Sequence, residues 1–263
     1  MINVCTVSSM DELKELRAAY EMGLPFAQDL NIEENIWDCR YYKLEYDSRM
    51  VGYACIDSVK TLWEFYLADE ACIHGQEIFK YLIDGSYITA AECKTYDYLL
   101  LSMCHDYQKS AEGSAYLFRD YVEPSNNSKT RFEEVTFRMA RMEDYECLEE
   151  LNRIDGEVDF FHNLKGEISN QEVLIFLKGA NVVGAGTFKM IWKNWNYRDI
   201  GMVVAKDYRR QGIGTFILLT LKEYCQAHDF IPVAGCWYYN LSSKRTLERA
   251  GFISKHRVLR FIF

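Results

Sequence analysis

Asp199-Ile200-Gly201-Met202-Val203-Val204-Ala205-Lys206-Asp207-Tyr208-Arg209-Arg210-Gln211-Gly212-Ile213-Gly214-Thr215 decides how this chain is read. Its first seven residues form the short apolar run of a buried strand. The next ten are a polar turn with two arginines and two glycines. After the turn, Ile213, Phe216, Ile217, Thr220, Leu221 and Tyr224 recur at i, i+3, i+4, i+7, i+8 and i+11, the stripe of an amphipathic helix. A glycine-bearing loop between a strand and a helix start points unbonded backbone N–H groups, and the positive end of the helix dipole, at whatever lies over the turn. Glycines allow close approach of an anion and the arginines add charge, a chemistry suited to a pyrophosphate.

Two common nucleotide sites do not fit. A dinucleotide fingerprint needs a third glycine, whereas Thr215, Phe216 and Ile217 follow Gly212-Ile213-Gly214, and the loop comes late, after three antiparallel-looking strands. The lysine–hydroxyl pair of a phosphate-binding P-loop is also missing.

Arg209-Arg210-Gln211-Gly212-Ile213-Gly214 resembles the RxxGxG acetyl-CoA signature of the GNAT superfamily of acyl-CoA N-acyltransferases. Further on, Asn240-Leu241-Ser242-Ser243-Lys244-Arg245-Thr246-Leu247-Glu248-Arg249-Ala250-Gly251-Phe252 is similar to the family's second motif, an Asn that opens a helix after the fifth strand and a Gly-Phe that closes it. Pro232 to Tyr239 supplies the strand, Asn240 is a good N-cap, Gly251 stands where a C-cap belongs, and Ile253 to Phe263 fits the last strands. The resemblance covers about residues 132–263. It implies acetyl-CoA as donor, held by backbone groups of Met202, Val203 and Val204 and by Arg209, Arg210, Gln211, Gly212, Ile213, Gly214, Thr215, Asn240 and Ser243. It implies transfer of an acetyl group to a primary amine of a small molecule or peptide.

The same resemblance raises the question of catalytic groups. Asp199 is the acidic residue on the cofactor strand and is the candidate base, set against a plain ion pair with Arg198 or Lys206. The family frequently has a tyrosine seven residues after the helix-opening Asn, where this chain has Leu247. Either no side-chain acid is needed or Tyr238, Tyr239 or Ser243 substitutes; Tyr239 is the candidate taken forward. Leu247 also motivates an alternative, a CoA-binding sensor or scaffold without turnover. Trp192, Trp195 and Tyr197 are either an acceptor wall or hairpin aromatics.

The chain repeats itself. Met10 to Leu16 matches Tyr145 to Leu151 as an acidic, Leu-bearing helix. Tyr41–Tyr46, a turn at Asp47-Ser48-Arg49 and Met50–Ala54 match Val173–Leu177, Lys178–Asn181 and Val182–Ala185. Leu62–Leu67 matches Ile200–Val204. The fold expected is α+β: two tandem GNAT-like units over residues 1–125 and 132–263, each a mixed, mostly antiparallel sheet flanked by helices. The polar stretch Glu123 to Arg131 reads as the linker. In the first unit Cys72 stands at the arginine position, Gly75 matches Gly212, and Glu77 replaces the second glycine. A carboxylate at that helix start repels pyrophosphate, so the first copy is expected to bind no CoA. No Asn-to-Gly-Phe motif is evident there, and Ala115 to Arg119 takes its place.

Composition sets the outer limits. With 49% apolar and 26% charged residues the chain is an ordinary globular one. A net charge of −9 argues against a general nucleic-acid binder. Residues 1–125 carry 22 acidic and 10 basic side chains, whereas 126–263 carry 17 and 20, so an acceptor drawn to the first half would be cationic. No apolar run approaches the ~18 residues of a membrane span, and the start lacks a secretory pattern. Nine scattered cysteines without a CxxC pair, and five isolated histidines, argue against a metal centre or disulfide framework. The cysteines fit a cytoplasmic protein. Cys104-His105, read as neighbours on a strand, would point to opposite faces and form no nucleophile pair.

Overall fold

The computed structural model describes residues 1–122, 132–152, 160–192 and 195–263. The expected linker 123–131 lies outside the described residues. The chain divides into two units. The first comprises Met1–Leu117, Trp237–Tyr239 and His256–Phe263, and the second Phe118–Cys236 and Asn240–Lys255.

In the first unit the elements run β1 (Ile2–Val7), α1 (Lys14–Gly23), α2 (Leu30–Ile36), β2 (Arg40–Tyr46), β3 (Arg49–Ile56), β4 (Thr61–Leu67), α3 (Gly75–Asp84), β5 (Ala90–Lys94), α4 (Tyr98–Tyr107) and β6 (Ser110–Phe118). The β2–β3 hairpin forms where the sequence places it. Tyr46 faces Arg49 across a two-residue loop, and Asp47 and Ser48 take φ of 47° and 63°, the left-handed pair that lets a tight turn follow the twist of its strands. Helices cover both faces of the sheet. Ile78, Phe79 and Leu82 of α3 and Leu100 and Cys104 of α4 pack with Phe65 and Cys93 on one side. Leu13, Tyr20, Ile32 and Ile36 pack with Tyr53 and Cys55 on the other.

In the second unit β7 (Asp120–Tyr121), β8 (Val135–Met139), α5 (Tyr145–Asn152), α6 (Leu164–Ser169), β9 (Val173–Lys178), β10 (Asn181–Met190), β11 (Tyr197–Val204), α7 (Ile213–Ala227), β12 (Ile231–Trp237), α8 (Leu241–Arg249) and β13 (Phe252–Ile253) follow in order. Strands β8, β9, β10 and β11 pair antiparallel, and β12 joins β11 in parallel. Helices α5 and α6 bury Leu148, Leu151, Leu164 and Ile168 against Val173, Ile175 and Ala185. On the opposite face α7 lies close because β10 is bare there: a Cβ on Gly186 would stand 2.7 Å from Leu221 Cδ1 and 2.9 Å from Ile217 Cγ2. The buried surface of α7 is wider than the expected stripe, for Leu218, Leu219, Lys222 and Cys225 are buried as well.

Three readings are corrected. The run 253–263 does not close the second sheet. Its strand β14 (His256–Ile262) lies between β5 and β6 of the first unit, with Leu259 opposite Cys93 and Phe261 opposite both Ala91 and Ala111. In return β7, from the end of the first repeat, pairs with β13 in the second unit. The apolar alternation of a strand says that it pairs but not with which edge. Second, Ala115–Phe118 is strand, and the helix that follows the fifth sheet strand in the first repeat is α4, opened by Asp97, whose Oδ1 accepts from Leu100 N at 3.3 Å. Third, Cys104 and His105 lie on that helix, not on a strand. Adjacent helical positions diverge too, with Cys104 buried and His105 exposed, so no pair forms.

Among the described residues no helix is long and apolar enough to cross a membrane.

Candidate functional site

The site follows from how β11 ends. Its register with parallel β12 covers Tyr197–Asp199 against Ile231–Val233 and extends no further among the described residues, while antiparallel β10 pairs β11 through Val204. The two parallel strands therefore part beyond Asp199, and the free edge of β11 over Ile200–Val204 borders the opening. Met202 and Val204 turn toward the start of α7, and Gly201 turns the other way, toward Phe160 and Thr187.

Past Val204 the chain makes a short turn at Lys206–Tyr208 and then a left-handed kink. Arg210 has φ 59°, and Gly212, the N-cap of α7, has φ 92° and ψ 0°. A side chain at such a φ is strained, which is why the turn ends on glycine. Phe216 N donates to Gly212 O at 3.1 Å and closes the first helical turn. Above it the N–H groups of Ile213, Gly214 and Thr215 have no acceptor within the helix. Gly212 offers no capping side chain, so these donors face outward at the positive end of a 15-residue helix. Gly214 lets α8 and β11 pack tightly here: a Cβ there would lie 3.1 Å from Thr246 Cγ2 on α8 and 3.2 Å from Met202 Sδ. The loop is braced from within. Arg209 Nε donates to Val204 O at 3.0 Å, and Gln211 Nε2 to Asp207 O at 2.9 Å. Arg209 is thus tied to the end of β11, and Gln211 uses its amide on the turn itself.

Asn240 opens α8, accepting from Ser243 N at 3.0 Å and from Ser242 Oγ at 2.9 Å through Oδ1. Gly251, directly after the Ala250 C-cap, takes φ 90° at the far end of that helix, the left-handed position that favours glycine. Leu247, where the resemblance asks for a phenol, is buried in the core.

Asp199 belongs to the second unit and Tyr239 to the first. Asp199 stands where β11 is paired on both sides, opposite Lys189 on β10 and Val233 on β12. Lys189 Nζ also lies 2.8 Å from Glu167 Oε1 on α6, a contact with no signature in the sequence. Arg198 stacks over Phe230, 3.9 Å from the ring centre. Tyr239 is six residues beyond Val233, on the order of 20 Å of extended chain. It is 83% exposed, with its ring edge-on to Tyr238. Tyr238 itself stacks on Tyr116 at 4.8 Å. Trp192, Trp195 and Tyr197 make an edge-to-face row that runs into the start of β11.

The first unit has the same parting of strands and a different filling. There β4 and β5 pair in parallel only at Thr61–Leu62 against Ala90–Ala91. Gly75, the counterpart of Gly212, sits in ordinary helical conformation (φ −56°) at the start of α3. Glu77 in the first turn of α3 accepts from Tyr46 OH at 3.1 Å, and His74 stacks on the Tyr46 ring at 3.9 Å. No left-handed anion turn exists at this position. On the other face of β4 and β5 lies a buried polar group that the sequence did not announce: Gln28 Nε2 donates to Glu64 Oε1 and its Oε1 accepts from Lys94 Nζ, both at 2.6 Å.

Comparison with known proteins agrees with this geometry. An acetyltransferase (GNAT) domain model matches residues 9–121, and an acetyltransferase (GNAT) family model matches 137–252, ending before the strand that joins the first unit. No curated relative matches the sequence. Among solved structures, an acetyltransferase of the GNAT family from Colwellia psychrerythraea is similar over 99% of both chains, with a TM-score of 0.85 and 19% identity. A GCN5-related N-acetyltransferase from Sphaerobacter thermophilus is similar over 98% of this chain and 94% of its own, with a TM-score of 0.62 and 13% identity. A tandem GNAT protein from the clavulanic acid biosynthesis pathway is similar over 99% of this chain and 98% of its own, with a TM-score of 0.56 and 12% identity. Acyl transfer is the chemistry of this family, and the chain belongs to it as a tandem GNAT superfamily protein.

Proposed function

We propose that the second unit transfers an acetyl group from acetyl-CoA to a primary amine of a small molecule or peptide. The observation that carries this reading is the left-handed Gly212 turn, which opens α7 directly beyond the point where β11 leaves β12. The N–H groups of Ile213, Gly214 and Thr215, with Arg209 and Arg210 beside them, suit the pyrophosphate of CoA. The free edge of β11 at Met202–Val204 suits an extended pantetheine arm, whose amides need strand-like partners. Bound acetyl-CoA supplies an activated thioester. N–H groups on the β11 edge would polarise its carbonyl, and Asp199, with Lys189 opposite, would take a proton from the incoming ammonium directly or through water. The freed amine would form the C–N bond as the C–S bond breaks, and CoA would leave as the thiolate, to be protonated by solvent.

A second reading, a CoA-binding sensor or scaffold without turnover, is favoured by one pair of observations. Leu247 is buried and apolar, and Tyr239 is exposed far along the chain from Asp199. Release of CoA thiol from acetyl-CoA with a panel of small amines, polyamines, aminoglycosides and Lys-rich peptides separates the two. Turnover on any acceptor, abolished by Gly212→Glu, supports the transferase. Tight acetyl-CoA binding without turnover on any of them supports the sensor.

A further inference from the structure

One guanidinium in the first unit faces three buried carboxylates. Arg17 Nη2 on α1 lies 2.6 Å from Glu33 Oε2 on α2 and 3.3 Å from Glu21 Oε1 one turn along α1, and its Nε lies 3.5 Å from Glu64 Oε2 on β4. All four side chains are at most 6% exposed. The nearby Lys94 on β5 does not balance the excess, because it has its own acid, Asp97, at 3.6 Å, and is otherwise held by Tyr20 and Gln28. Tyr53 and Cys55 on β3, and Cys39 ahead of β2, also face the cluster and carry no positive charge. Three carboxylates and one cation cannot all stay ionised out of water, since each unmatched buried charge costs several kcal/mol.

The three acids are not equivalent. Glu33 has the short contact to Arg17. Glu64 accepts from Gln28 and from Tyr53 OH at 2.9 Å. Glu21 has only the longer contact, and its buried Oε2 has no hydrogen-bond partner. We infer that Glu21 carries a bound proton at neutral pH, and that loss of this proton loosens the packing of α1 and α2 on the sheet.

Burial, aided by Glu33 and Glu64, pushes the Glu21 carboxyl up to about 8 against the opposing pull of Arg17. In the unfolded chain an ordinary glutamate releases its proton near pH 4.3, an approximate value. Between these limits the folded chain holds one proton more than the unfolded, so stability falls as pH rises and levels off above about 8.

Hydrogen exchange of the full chain, read in peptides covering residues 14–36 and corrected for intrinsic rates, tests this. Protection in the wild type should fall by up to about tenfold per pH unit from pH ~5.5 toward 8. The Glu21→Gln variant, which imitates the protonated acid, should be flat across the same range and better protected than wild type at its upper end. Infrared spectroscopy gives an independent reading: a protonated-carboxyl carbonyl band in the wild type at neutral pH, absent from Glu21→Gln. Wild-type protection that does not change with pH, an equal slope in Glu21→Gln, or the same carboxyl band in both proteins would overturn the inference.

Discussion

Glu64 on β4 and Lys94 on β5 are joined by a single side chain, the Gln28 carboxamide, which donates to the carboxylate and accepts from the ammonium at 2.6 Å each. The two strands have already parted at these positions. The carboxamide therefore links charged groups that stand where the parallel ladder has stopped.

Gln28→Ala should be among the most destabilising single changes in the first unit. It removes two hydrogen bonds to buried charged groups, each worth roughly 1.5–3 kcal/mol, and leaves Glu64 with Tyr53 and Arg17, and Lys94 with Tyr20 and Asp97. Urea unfolding followed by circular dichroism should show a loss of about 3–5 kcal/mol by this estimate. A loss below 1 kcal/mol would mean that water replaces the amide.

The two matched glycines should respond in opposite ways. Gly75 is helical, and a Cβ there meets nothing closer than 3.6 Å, so Gly75→Ala should stabilise by roughly 0.5–1 kcal/mol. CoA affinity should stay within about twofold, less than 0.5 kcal/mol on the usual scale. Gly212→Glu puts a strained side chain and a carboxylate on the anion turn and should abolish CoA binding. Calorimetry on both variants decides the matter, and two CoA per wild-type chain would refute the one-site reading.

Arg210 holds a left-handed φ of 59° without being glycine. Arg210→Gly relieves that strain, about 1 kcal/mol, and removes one positive charge from the turn. The melting temperature should therefore not fall, while CoA affinity weakens and its salt dependence diminishes. Differential scanning fluorimetry with and without CoA separates the two effects.

Truncation should expose the exchanged strand. Residues 1–122 alone lack β14, whose Phe261 is buried in the core of the first unit together with Phe263 just beyond it. That fragment should melt without a cooperative transition. Adding residues 254–263 as a peptide, or fusing them behind a flexible linker, should restore one. A cooperative transition in the bare fragment would show that β5 and β6 can close on each other.

Packing of α7 on β10 can be tested at Gly186. Gly186→Val drives methyl groups into Ile217 and Leu221, where a Cβ alone is already too close. The cost should be at least the 1–3 kcal/mol that is about typical of overpacking, read as a drop in urea midpoint.

Local chemistry made much of this molecule legible from its residues alone. The Gly212 turn, the Asn240 cap, the Gly251 helix end and the Asp47-Ser48 hairpin each depend on a few neighbouring residues, and each stands where the sequence points. The tandem repeat was legible for the same reason, because its elements keep their order and spacing. Partner choice was not. The apolar alternation of 256–262 announces a strand and carries no mark of which sheet receives it, so its place between β5 and β6 is decided by which edges the assembled chain leaves open. The buried charges were hidden by the same logic. Nothing in the spacing of Arg17 and Glu21, four apart on a short helix, marks them as buried. Only the closing of α1 and α2 over β4 and β5 removes their water and turns a surface pair into a cluster that needs a proton.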